Sequence, residues 1–86
     1  MKKTKNYTLK VFNNRKITGK VRTHSVRLFL THLRSIKWEK STSVYLRVSY
    51  RKKIDSQGKL STFWNDGDYD NKSDLMWAFN AFNEEG

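Results

Sequence analysis

Apolar and polar positions alternate along "YTLKVF" (7–12), where Tyr7, Leu9 and Val11 interleave with Thr8, Lys10 and Phe12. That period of two predicts a half-buried strand. "NNRK" reads as a turn. In "ITGKVR" (17–22), Ile17 and Val21 alternate with Thr18, Lys20 and Arg22, so the stretch reads as a second strand or the approach to a helix. The period then changes. In "THSVRLFLTHLRSIKW" (23–38), Val26, Phe29, Leu30, Leu33 and Lys37 recur at helical spacing, which predicts an amphipathic helix capped by Thr23 or Ser25. A second stripe of the same helix carries His24, Arg27, Thr31, Arg34 and Trp38.

Beyond a "WEKSTS" loop the period returns to two. "SVYLRVSYRKKI" (43–54) places Val44, Leu46, Val48, Tyr50 and Ile54 on one face, and Tyr45, Arg47, Ser49, Arg51 and Lys53 on the other. Gly58 in "DSQGK" suits the left-handed position of a hairpin turn, and "LSTFWN" (60–65) returns. A three-residue loop closed by Asp55 and Lys59 would set Tyr50 opposite Trp64 and leave Phe63 beside Arg51 on the other face. The last periodic stretch, 72–84, predicts a helix with Asn71 as N-cap, Asp74 at N3, and a buried stripe of Leu75, Ala78, Phe79 and Phe82. The order β(β)αββα indicates a small α+β two-layer sandwich, an antiparallel hairpin sheet with both helices on one face. One domain is expected over residues 7–86, preceded by a mobile basic arm at 1–6. The uncovered sheet face would carry Tyr45, Arg47, Ser49, Arg51, Lys53 and Phe63.

Composition sharpens this picture through charge. Residues 1–53 hold sixteen Lys and Arg against Glu39 alone, and residues 54–86 hold two lysines against seven acids; +15 and −5 sum to the net +10. Such asymmetry in a small domain points to a polyanionic partner. Twelve aromatics (Phe 5, Tyr 4, Trp 3) give an 86-residue chain enough burial to fold without staples. Absent cysteine, there is no disulfide framework, thiolate metal site or cysteine nucleophile. The longest apolar run is the five-residue "LMWAF" (75–79), so no segment is suited to crossing a membrane. "MKKTKNY" has the basic opening of a secretory signal without its apolar stretch, which leads to the expectation of a cytoplasmic protein.

The candidate chemistry is recognition. Cations interleaved with aromatics on an open sheet suit nucleic acid, with charges tracking phosphates and ring faces accepting bases. The binding residues expected are Arg27 and Arg34 on the helix, and Arg47, Arg51 and Lys53 on the strand. Tyr45 and Phe63 would stack, and Lys2, Lys3 and Lys5 would form the arm. An enzyme is not expected. His24 and His32 stand about 12 Å apart along a helix, too far to share a metal. Asp66, Asp68 and Asp70 have the opening spacing of a calcium loop. Asn71 stands where that loop wants Gly, however, and Trp77 where it wants a bidentate Glu. The expectation is therefore no metal and no cofactor. These acids are expected to start a helix and pair with part of the basic half, or to offer a separate acidic patch to a protein.

From Tyr45 to Phe82 the order of strand, Gly-Lys turn, strand and helix resembles the arm-binding domains of tyrosine recombinases, in which a basic sheet sits on DNA. The acidic "DGDYD" departs from that pattern. The expected function is a small basic nucleic-acid-binding module for DNA or RNA. The alternative is a small phage- or mobile-element-type inhibitor or adaptor that docks on an acidic surface of a nucleic-acid-handling protein or ribonucleoprotein.

Overall fold

The computed structural model describes residues 5–84. Among them the chain forms β1 (Lys5–Asn13), β2 (Lys16–Thr23), α1 (Val26–Arg34), β3 (Thr42–Lys53), β4 (Leu60–Tyr69) and α2 (Lys72–Glu84). The strands make one antiparallel sheet in the order β2-β1-β3-β4, so the crossover through α1 carries the chain past β1. Both helices contribute to one hydrophobic core on one face of the sheet, the α+β sandwich that the periodicities predict.

The inner face follows the alternation. Tyr7 and Leu9 of β1 and Val44, Leu46 and Val48 of β3 are buried against Phe29 and Leu33 of α1 and Leu75, Ala78 and Phe79 of α2. Tyr7, Phe29 and Phe79 form an aromatic cluster with ring centroids 5.3–5.8 Å apart. Tilted and offset rings add to the burial energy at such spacings. Ser25 caps α1 by accepting the Leu28 amide at 3.2 Å. Asn71 caps α2: its Oδ1 accepts the Asp74 amide at 2.8 Å, while its Nδ2 donates to the Asp74 carboxylate at 2.9 Å.

Three boundaries differ from the periodicity. Helix α1 ends at Arg34, where the Ser35 amide and hydroxyl both donate to the His32 carbonyl and close the last turn. Lys37 and Trp38 therefore leave the helical stripes, and Trp38 folds back against the core from the connector. Strand β1 starts at Lys5, which pairs with Tyr50 and donates through Nζ to the Asn83 carbonyl, so Lys5 is held in the sheet and is no part of a mobile arm. Met1–Thr4, with Lys2 and Lys3, lie outside the described residues. Finally, β4 continues to Tyr69, which places Asp66 and Asp68 on a strand instead of a loop.

The β3–β4 turn sets the register. The Asp55 carboxylate accepts the Gln57 and Lys59 amides at 3.0 and 2.9 Å, while the Ile54 amide donates to the Lys59 carbonyl. The loop thus holds four residues, Asp55 to Gly58, with Gly58 at φ 80°. One extra loop residue shifts the pairing by one: Tyr50 faces Phe63, and Ser49 faces Trp64. A one-residue slip exchanges the faces of a strand. Beyond the Lys5–Tyr50 pair, β3 and β4 run on as a two-stranded arm. The described chain consequently spans 49 × 23 × 19 Å, with a radius of gyration of 14.2 Å against about 12 Å for a compact domain of this size.

Candidate nucleic-acid interface

Among the described residues nothing covers the sheet face opposite the helices, and its side chains are dictated by strand parity. β1 presents Thr8 and Lys10, β2 presents Lys20 and Arg22, β3 presents Tyr45, Arg47, Ser49, Arg51 and Lys53, and β4 presents Thr62, Trp64, Asp66 and Asp68. Two rows define the chemistry. Arg22, Thr8, Arg47 and Asp66 lie in one line across the strands, and Lys20, Lys10, Tyr45 and Asp68 in the next. Neighbours within a row stand about 4.8 Å apart. Cations therefore occupy the β2–β1–β3 side and the arm, and carboxylates occupy the β4 side. A broad open trough of about 1230 Å³ runs over the basic part, bounded by Lys10, Lys20, Arg22, Arg47, Arg51 and Lys53.

Trp64 is the aromatic platform of this face. It is 54% exposed, and the Arg47 guanidinium lies over its ring at 4.9 Å from the centroid. That contact fixes a long cation in place at modest energy. The Arg47 Nε is enclosed and has no hydrogen-bond partner in the protein. Tyr45 is engaged differently. The Lys10 ammonium sits 5.6 Å from the centre of its ring, and its hydroxyl donates to Asp66 Oδ2 at 2.8 Å. Burial raises the Tyr45 phenol above its ordinary value, and the hydrogen bond to Asp66 and that carboxylate's charge raise it further. Tyr45 consequently stays protonated as a donor that orients Asp66.

The anticipated binding residues separate into groups. Arg47, Arg51, Lys53 and Tyr45 lie together on the open face. Phe63 does not: it stacks on Tyr50 at 5.9 Å on the other side of the arm, Thr62 faces Arg51 in its stead, and the aromatic of the open face is Trp64, opposite Ser49. Arg27 and Arg34 are exposed on α1, in the helical layer behind the sheet, so they do not join the strand cations. Lys10, Lys20 and Arg22 complete the basic face although none was singled out from the sequence. Their signal was present, since each has the opposite parity to Leu9, Val11 or Val21. Asp66 and Asp68 belong to the rim of this site, and Asp70 accepts from Asn71 at the bend before α2. Among the described residues no group of three or more His, Asp or Glu is arranged to hold a metal ion. No helix among them is long and apolar enough to cross a membrane.

No protein-family model, curated protein or solved structure matches the chain.

Proposed function

We propose that this chain is a non-enzymatic nucleic-acid-binding module that lays a single strand on the open face of its sheet. The observation that carries the reading is the exposed Trp64 ring set beside the basic trough that Arg22, Lys10, Arg47 and Arg51 border. Lys and Arg neutralise phosphates and release counterions, while an exposed ring stacks on any base. The carboxylates of Asp66 and Asp68 repel phosphates from the β4 side. The backbone therefore runs over β1–β3 and the arm, with bases turned toward Trp64.

The test is a titration of labelled single- and double-stranded oligonucleotides across salt. Log K for a single strand should fall with log salt at about −0.7 per phosphate contact, so about five contacts give a slope of roughly −3.5. Failure to bind either form at low salt refutes the reading. A second reading has its own observation: Trp77 and Leu28 point out of the helical layer at 73% and 55% exposure. They suit an inhibitor or adaptor that docks on a nucleic-acid-handling protein. Capture of one defined protein that survives nuclease, and is lost on Trp77→Asp, would favour that reading.

A further inference from the structure

Among the described residues the sheet has two edges without a neighbouring strand, β2 and β4, and they match one another. We propose that they are complementary docking surfaces for further copies of this chain. β4 of one copy adds antiparallel to β2 of the next, with Asp66 and Asp68 beside Arg22 and Lys20. The pairing requires no nucleic acid and goes beyond the binding function.

Direction, phase, register and charge each support the match. Every neighbouring pair in the sheet is antiparallel, and the strand number is even, so the outermost strands run in opposite directions. A copy displaced sideways by four strand spacings, about 19 Å, therefore brings its β4 antiparallel to β2. Opposed residues alternate between hydrogen-bonded and non-hydrogen-bonded pairs, and this alternation switches from one side of a strand to the other. With four strands, the two ends of any row consequently present their backbone groups outward together or inward together. The new edge pair can form its ladder without a slip.

The same displacement keeps the rows in line. Arg22 shares its row with Asp66, and Lys20 shares its row with Asp68, so each carboxylate of the incoming copy meets a cation. On the inner face, Tyr69 of the incoming copy comes level with Gly19, whose missing side chain leaves a groove of about 230 Å³ against Val21 and Ile36. A shift of one residue sets the acids against inner-face positions, Val21 and Gly19 in one direction or Thr23 and Val21 in the other. Such an interface is head-to-tail: each addition leaves a fresh β2 and a fresh β4 edge, and growth does not stop at two. Twist of about 20–25° per strand rotates each copy by roughly 80–100°, so the assembly coils.

Net charge regulates it. At low ionic strength the +10 chain repels its copies at long range. At about 0.15 M salt the Debye length is about 8 Å, so that repulsion fades while charges in contact still attract; at about 1 M, with a length of about 3 Å, the contacts weaken too. Sedimentation velocity of the full chain, followed over protein concentration, should show mass rising past the dimer at about 0.15 M salt and falling back at about 1 M. Asp66→Lys/Asp68→Lys and Lys20→Asp/Arg22→Asp should each be monomeric. An equimolar mixture should assemble again, because each variant supplies the edge the other lacks. Circular dichroism establishes that the variants are folded, and Asp66→Asn/Asp68→Asn, which should weaken association at least several-fold, serves if a reversed pair is not. A wild-type chain that stays monomeric throughout, growth that saturates at a dimer, or folded variants whose mixture does not assemble would each overturn the proposal.

Discussion

Leu46 and Arg47 are neighbours in the chain, and the sheet sends them to opposite faces. Leu46 is fully buried beneath the helical layer, while Arg47 lies over an exposed indole on a surface that no other described element covers. The inner face is closed on itself: its side chains meet other side chains of the same core. The outer face carries an arrangement of charge that exceeds what holding the strands together requires. Cross-strand pairs on such a face contribute roughly 0.2–1 kcal/mol each, whereas burying one large aliphatic side chain contributes about 1.5–3 kcal/mol. Stability therefore resides on one face, which leaves the composition of the other free to serve recognition.

The largest expected effect tests that division directly. Leu46→Ala should cost about 2–5 kcal/mol, because the core packed between the sheet and the two helices cannot collapse fully into the space. In a domain whose whole stability is of order 5–15 kcal/mol or less, this brings the chain close to unfolding. Arg47→Ala, one residue on, should cost about 1 kcal/mol or less through loss of its contact with Trp64. Paired urea denaturation curves measure both. Equal losses would mean that the outer face is structural after all.

A second adjacent pair sharpens the comparison. Trp64→Ala should weaken single-strand binding by about 1–3 kcal/mol, the usual worth of one base–aromatic stack, with little change in the fold. Phe63→Ala should leave binding unchanged, since Phe63 stacks on Tyr50 on the far side of the arm. Fluorescence anisotropy with a labelled oligonucleotide reads both variants. Reversed roles would show that the pairing register of the arm differs in solution.

The register is also where the sequence stops being legible. Alternation placed the inner residues of β1 and β3, the face occupied by Arg47, Arg51 and Lys53, and the stripe of α2, because burial imposes a period on each. No such period governs the arm beyond Tyr50, where both faces are wet and apolar residues fall on either side. There the register depends on the Asp55 carboxylate, which accepts two backbone amides and lengthens the loop by one. Side-chain chemistry within a turn overrode the apolar match of Tyr50 with Trp64. The reach of β4 was hidden for a related reason. "NDGDY" has the composition of a loop, yet Gly67 and Tyr69 continue the inner face while Asp66 and Asp68 continue the outer one.

Gly67 shows how that disguised stretch works. A Cβ built there would stand 2.6 Å from the Tyr69 hydroxyl and 3.0 Å from its ring, so Tyr69 lies across the space the glycine leaves. Gly67→Ala must displace the ring, which packs against the core. Overpacking costs about 1–3 kcal/mol, and the lower end applies because the far edge of the ring can swing aside. Adding Tyr69→Ala should remove the conflict, so a double-mutant cycle ought to show coupling of opposite sign to the single effect. Additive losses would mean that Gly67 matters for its backbone and not for the ring. Asp66→Asn, one position away on the outer face, should change the midpoint only within about 0.5 kcal/mol.

The smallest effect sets two tyrosines from opposite faces against each other at alkaline pH. Tyr7 is buried in the core and donates to Asn83 Oδ1 at 2.6 Å, and burial raises its phenol above the ordinary value of 10.0. A folded value above the unfolded one means that folding retains the proton. The stability tied to it is complete below about pH 10 and is lost as pH rises through the folded value. Tyr45 is raised in the same direction, but on the open face, where ionisation breaks one exposed hydrogen bond to Asp66. Ionising Tyr7 instead puts an anion beside the Phe29 and Phe79 rings. Urea midpoints followed from about pH 8 to pH 11 should therefore decline in the wild type, decline nearly as much in Tyr45→Phe, and decline distinctly less in Tyr7→Phe. Tyrosinate absorbance in the same samples should show Tyr45 ionising in the folded chain and Tyr7 only as it unfolds. If Tyr7→Phe keeps the full alkaline decline, the inner face is not what limits the fold there.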